Sequence, residues 1–216
     1  YEEKLPETLA YLRSGYPRFI QHRFIKQLIE IQERTADKKG KKSFLFAELK
    51  HCHSAIEKFS MRGANVYERD GFTWLQVDEG SRDVLNTNAF LQHTGGSISS
   101  RQAEDVLSKS GLLKRRERIS NKANPIRFAQ EIIAKVHGEG VSPDKVLFAS
   151  SGANAFYSLF RCAYDNGLKQ GKNLWIRLGW LYLDTIETME LVAEKESGII
   201  TLVNPTDLNG LKTIFT

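Results

Sequence analysis

Apolar side chains recur at helical spacing at Ile20, Phe24, Ile25, Leu28 and Ile29, which predicts an amphipathic helix over roughly 18–35. Pro17 holds Tyr16 extended just ahead of it. The run Ala36-Asp37-Lys38-Lys39-Gly40-Lys41-Lys42 ends that pattern as a charged, solvated loop. Ser43-Phe44-Leu45-Phe46 then reads as a short buried strand, and 49–59 as a second helix. Asn65-Val66-Tyr67-Glu68-Arg69 and Phe72-Thr73-Trp74-Leu75-Gln76-Val77 are β-rich runs flanking Asp70-Gly71, the signature of a hairpin closed by a short turn. The pattern leaves its register open. Gln92-His93-Thr94-Gly95-Gly96-Ser97-Ile98-Ser99-Ser100-Arg101 combines two glycines with four hydroxyl residues and reads as a loop. Ser99 or Ser100 can cap the helix that follows through Leu107, with the Glu104 carboxylate near its start.

From Pro125 the texture changes to helix, strand, helix, strand, helix, strand, helix. Ile126, Ala129, Ile132, Ile133 and Val136 form an apolar helical stripe that Pro125 opens at the first turn. Val146-Leu147-Phe148-Ala149 is the continuous apolar run expected of a strand covered on both faces. A helix over 154–164, a strand over 174–178, a helix over 184–195 and a strand over 199–203 follow, and Thr206 caps a last helix. Such alternation demands parallel pairing and crossover helices, so the expected class is α/β, a three-layer α/β/α plan with a mainly parallel sheet, preceded by a smaller α+β segment. The expected organisation is an amino-terminal α+β segment at 1–110, a basic linker at 111–124 and the first part of a large α/β domain at 125–216.

Composition narrows the classes. A chain of 216 residues, 41% hydrophobic, with 12 Phe and 3 Trp, buries a core without disulfide staples and is too aromatic for a disordered protein. No apolar run approaches the ~20 residues of a membrane span, and the opening residues form no signal peptide, so the expected setting is the cytoplasm with no membrane partner. Two cysteines, Cys52 and Cys162, fit reduced thiols there. The net charge of +5 is mild. The basic run Lys114-Arg115-Arg116-Glu117-Arg118 reads as a solvated face, and the three tryptophans are not interleaved with it, so no nucleic-acid partner is expected. His51-Cys52-His53 lacks the third and fourth ligands of a metal site, and no metal is expected. His93 and Ser97 lack an oxyanion loop, which favours a loop-stabilising role over nucleophilic catalysis.

Ligands of such folds bind in the loops beyond the carboxyl ends of the strands. The first loop, Ala149-Ser150-Ser151-Gly152-Ala153-Asn154, has two readings. It is an anion cradle in which Gly152 admits close approach to the amides at a helix start, or a plain strand-to-helix turn capped by Ser150 or Ser151. It is neither a Walker A loop nor a dinucleotide fingerprint. The second loop, Gly179-Trp180-Leu181-Tyr182-Leu183-Asp184-Thr185, offers Tyr182 either as a stacking ring for a flat ligand or as a half-buried core residue.

Five landmarks in order resemble the cystathionine γ-synthase-like (Cys/Met metabolism) pyridoxal-phosphate enzymes, in particular the fungal-type branch. They are Gly15-Tyr16-Pro17-Arg18-Phe19 with His22, the segment 92–101, Val146-Leu147-Phe148-Ala149-Ser150-Ser151-Gly152-Ala153-Asn154-Ala155-Phe156, Tyr182-Leu183-Asp184-Thr185, and Val203-Asn204-Pro205-Thr206-Asp207-Leu208. The resemblance implies a fold-type I large domain, pyridoxal phosphate as cofactor of the complete protein, an amino-acid substrate and a homo-oligomer, dimer or tetramer. It implies that the Ser151, Gly152 and Ala153 turn holds the cofactor phosphate and that Tyr182 stacks on its ring. It also implies Arg101 as a phosphate ligand, offered to a neighbouring subunit. Ser120-Asn121-Lys122-Ala123-Asn124-Pro125 competes for that last place, with Ile119 and Asn121 where the family has Tyr and Arg, and Ala153 stands where the family usually has Met.

In the family, the lysine that carries the cofactor and the aspartate that pairs with its ring nitrogen lie beyond the turn that 203–208 resembles. No lysine here stands in the matching Ser-x-x-Lys context, Lys109 included, so this chain by itself is expected to be catalytically silent. The chain opens on Tyr1 and closes within a predicted helix at 208–215, and it reads as a piece of a longer protein. The implied reaction is γ-replacement on an activated homoserine by cysteine. The alternative is an inactive truncated homologue that serves as a binding or assembly module.

Overall fold

The computed structural model describes residues 21–35, 40–114, 124–193 and 197–215. The segments at 1–20, 36–39, 115–123 and 194–196 and residue 216 lie outside it, and with them the first landmark at 15–19, the start of the first expected helix, most of the charged loop, most of the basic run, and Ile119 and Asn121.

Asp70 and Gly71 both take positive φ, 57° and 77°, as a two-residue hairpin turn whose twist matches its strands requires. The turn joins β2 (Asn65–Arg69) to β3 (Phe72–Asp78) and sets the register left open by the sequence, Arg69 opposite Phe72 and Tyr67 opposite Trp74. β1 (Lys41–Phe46) pairs antiparallel with the other edge of β3, giving the order β1-β3-β2. Central β3 is buried from Phe72 to Val77 because both faces of the sheet are covered. Phe72, Trp74 and Leu45 pack against Ile25, Leu28 and Ile29 of α1 (Arg23–Thr35) and Ala103 and Leu107 of α4 (Ser100–Lys109). Leu75, Val77, Phe44 and Phe46 pack on the other face against Cys52 and Ala55 of α2 (Leu49–Phe59) and Phe90 of α3 (Arg82–Thr94). Buried Gln76 is satisfied across the sheet: its amide donates to Ser43 Oγ at 3.3 Å and its carbonyl accepts from Asn65 at 3.1 Å.

The capping of α4 is settled in favour of Ser99, whose Oγ accepts from the Gln102 N–H while the Gln102 side chain returns a bond to the Ser99 N–H. Gln92, His93 and Thr94, expected in a loop, instead form the last turn of α3, which Gly95 closes in the left-handed conformation.

Downstream run α5 (Pro125–His137), α6 (Gly152–Lys169), β4 (Leu174–Leu178), α7 (Leu183–Val192), β5 (Gly198–Leu202) and α8 (Leu208–Ile214). β4 and β5 pair in parallel around the α7 crossover, as the alternation predicts, and α6 and α7 bury Tyr157, Phe160, Tyr164, Met189 and Val192 with Trp175 and Ile199 packed beneath. Asn124 and Pro125 open α5 as cap and first residue. Three expectations need correction. Residues 146–149 join no ladder among the described residues, and Leu147 and Phe148 are 89% and 50% exposed, so this segment is not a buried strand here. Ile126, Ile132 and Val136 of the α5 stripe are likewise exposed. A parallel strand or an apolar stripe is buried only by a neighbour, and none of the described elements covers these faces. Finally, α8 is capped by Asp207, whose carboxylate accepts from the Gly210 N–H, while Thr206 bonds to Asn204. The described residues thus form a mixed α/β structure, with an antiparallel three-stranded sheet and a parallel pair.

The two sheets meet through α3, which packs on α6 and α7. Phe90 and His51 stand edge-on to Tyr157 at ring separations of 6.4 and 5.4 Å. Burial lowers the His51 imidazole below its ordinary 6.5; nearby Glu48 opposes the shift and Lys50 reinforces it. The fold therefore holds fewer protons on His51 than the unfolded chain does, and the stability this contributes is present above 6.5 and lost as pH falls through the lower folded value. His22 shifts in the same direction. Thermal midpoints recorded from about pH 8 to about pH 5 should fall on acidification, and His51→Gln should flatten part of that fall; an unchanged slope would remove His51 from it. A second expectation concerns the thiols. Burial pushes Cys52 up to about 11, whereas Cys162 is exposed, so alkylation of the native protein should label Cys162 and reach Cys52 only on unfolding.

Candidate functional site

Helix α6 begins with the small-residue turn singled out in the sequence. Ser151 is the cap: its Oγ accepts from the Asn154 N–H at 3.1 Å and its carbonyl from the Ala155 N–H at 2.9 Å. That removes Ser150 as the capping candidate and leaves the N–H groups of Gly152 and Ala153 without an acceptor among the described residues. They stand at the positive end of an 18-residue helix dipole, with Ser151 and Gly152 exposed. A Cβ built on Gly152 would meet no protein atom within 4 Å, so internal packing does not demand glycine there; the opening suits an anion drawn close to the two amides. A phosphate fits this donor set, which consists of backbone amides and a hydroxyl with no carboxylate among them.

Tyr182 is the residue preceding α7, held at φ −58° and ψ 138°, and it is 55% exposed. It is therefore not a core tyrosine. Asp184, two residues on, is buried.

The two loops converge on three consecutive residues at the end of α3. The His93 carbonyl accepts from Thr188 Oγ1 of α7 at 3.0 Å, and His93 Nδ1 lies 3.5 Å from Asp184 Oδ1, with the two side chains only 15% and 11% exposed. The Thr94 carbonyl accepts from Asn154 Nδ2 of α6 at 3.2 Å. Gly95, at φ 62°, lies so close to the α6 start that a Cβ there would be 2.4 Å from Ser151 Oγ and 2.9 Å from the Asn154 nitrogen. Gly96 follows the same rule against His51 Nδ1, at 3.0 Å, and its carbonyl accepts from the Ala47 N–H just beyond β1. His93 thus has a structural role, as its sequence context favours, but it plays it from the last turn of α3, as an anchor for the Tyr182 helix. Asp184, Thr188, Asn154 and Gly95 were not singled out as interacting residues, because their partners lie far away along the chain and leave no local signal. The glycine pair, read as part of a loop, was the readable hint.

Arg101 stands apart from this knot in its described contacts. Its guanidinium pairs with Glu104 at 3.0 Å, and it lines a shallow hollow of about 510 Å³ together with Asp70, Phe72 and Lys109 on the hairpin side. His51 and Cys52 diverge, one toward Tyr157 and the other into the core, and among the described residues no three His, Cys, Asp or Glu side chains gather closely enough to hold a metal ion. No helix of the described residues is long and apolar enough to cross a membrane.

Comparison with known proteins gives two distant relatives. The chain is 27% identical over 219 residues to the L-2-amino-4-chloropent-4-enoate dechlorinase/desaturase of Streptantibioticus cattleyicolor, an alignment covering 99% of this chain and 43% of that protein. It is 27% identical over 138 residues to a Saccharomyces cerevisiae protein described as "putative cystathionine gamma-synthase", covering 54% of this chain and 21% of the relative. The chain spans less than half the length of either of these curated relatives. No family profile and no solved structure matches it. One relative carries an amino acid in its name, and the other carries the name of the family that the five landmarks resemble.

Proposed function

We propose that this chain is the amino-terminal part of a pyridoxal-phosphate-dependent enzyme of sulfur amino-acid metabolism, similar to cystathionine γ-synthase. The observation that carries the reading is the convergence of the α6 mouth and the Tyr182 end of α7 on residues 93–95. An anion-binding amide pair and an exposed ring at neighbouring helix starts fit the two ends of a flat phosphorylated molecule. Ser151, Gly152 and Ala153 hold the phosphate and Tyr182 covers one face of the ring. Bound there, pyridoxal phosphate supplies an electron sink for the negative charge left when an amino acid loses its α-proton. The complete protein works as a cytoplasmic homo-oligomer, and Arg101 faces a neighbouring subunit's cofactor. Distant kinship to a cystathionine gamma-synthase by name supports γ-replacement with cysteine. A second reading, elimination without an added thiol, draws on the relative that aligns along 99% of the chain and is named for dechlorination and desaturation.

In the full-length protein, Gly152→Val should abolish pyridoxal phosphate binding while circular dichroism reports an intact fold; wild-type affinity in that variant would refute the phosphate assignment. Tyr182→Ala should weaken retention by about 1 kcal/mol, roughly fivefold in Kd, and an unaltered cofactor spectrum and affinity would remove the stacking role. Supplied with γ-substituted amino acids, the enzyme should form product only when cysteine is present. Ammonia released in its absence would mark elimination instead.

A further inference from the structure

The last carbonyls of a helix have no partner within it and are normally left to water or a cap. At the end of α3 they are used differently. Side chains from two other helices take them in succession, Thr188 of α7 at His93 and Asn154 of α6 at Thr94, and Ser150 approaches the Gly95 carbonyl at 3.5 Å. With Ser151 Oγ accepting from the Asn154 N–H, the Gly152 and Ala153 amides have no acceptor among the described residues. On the α7 side, half-buried His93 faces buried Asp184, which lies two residues from Tyr182. Gly95 lies between: its φ of 62° favours glycine, and a Cβ would press on both Ser151 Oγ and the Asn154 nitrogen.

We infer that His93, Thr94 and Gly95 form a positioning clamp that sets the distance between the α6 phosphate cradle and the Tyr182 end of α7, with Gly95 the point at which no side chain is tolerated. The clamp rests on the pyridoxal-phosphate reading for its purpose, though its contacts stand without it. None of the three residues touches the ligand; they act through Ser151, Asn154 and α7.

The test compares Gly95→Ala with Gly111→Ala in the full-length protein. Gly111 has a similar φ of 72° but open space around it, so its variant carries the backbone strain without the clash. Kd is measured for pyridoxal 5′-phosphate and for pyridoxal, which lacks the phosphate, and thermal midpoints are taken without either. Gly95→Ala should raise the Kd for the phosphorylated form roughly tenfold or more and that for pyridoxal by less, since displacing the cradle by a fraction of an ångström spoils the phosphate contacts first. Gly111→Ala should leave both affinities unchanged. Equal affinities of Gly95→Ala and wild type overturn the clamp with the cofactor reading intact. An equal loss for both ligands reduces Gly95 to general stability, which also overturns it. Should Gly95→Ala not fold, Asn154→Ala decides: a several-fold loss confined to the phosphorylated ligand supports the clamp, and no loss ends it. If the wild type binds neither ligand, the cofactor reading fails, and the clamp is judged in the ligand-free protein by a double-mutant cycle. Ser151→Gly should then recover part of the midpoint lost in Gly95→Ala, and strict additivity overturns the inference.

Discussion

The proposed phosphate cradle and the Tyr182 end of α7 both hang from the carbonyl end of one helix, α3. α3 packs its Phe90 into the core beneath the three-stranded sheet and delivers its final turn to the starts of α6 and α7. Each bond there is modest, since a hydrogen bond contributes about 1 kcal/mol net. Their value lies in geometry, because they connect a rigid, doubly covered sheet to a parallel pair that has far less packing of its own. Two paired strands are marginal without an external face to lean on, and α3 and the aromatic cluster around Tyr157 provide it.

What was legible in the sequence was what local chemistry dictates. Asp70-Gly71 can hardly be anything but a tight turn, Ser99 was one of two candidate caps for α4, and Pro125 opens a helix. The crossover from β4 through α7 to β5 followed from alternation alone. α3 escaped notice because its inward face is partly hydroxyl. Thr87 and Thr94 are fully buried, and each satisfies itself by donating to the carbonyl one turn back, Asp83 and Phe90, both at 2.7 Å. Threonines used in this way look polar to any periodicity and behave as core.

The opposite error occurred at 146–149 and along α5, where an apolar pattern implied burial that the described elements do not provide. Hydrophobicity reports that a side chain prefers company without saying where the company comes from. The site shared this divided legibility. Ser151, Gly152, Ala153 and Tyr182 were named from loop position and resemblance, and the structure places them at the starts of α6 and α7. Asn154, Asp184 and Thr188 could not, since their partners on α3 lie far away in the chain and are brought near only by the fold.

The pleat of β3 gives this arrangement an unexpected sensitivity. Phe72 and Trp74 serve one core and Leu75 and Val77 the other, so adjacent residues belong to different halves of the interior. Lengthening the bend at Asp70-Gly71 by a single amino acid would invert that parity, turning the indole of Trp74 toward Phe90 and withdrawing Leu75 from it. The damage would surface at the far end of the same helix, so a miscounted corner on one side of the molecule would be felt as a misaligned mouth on the other.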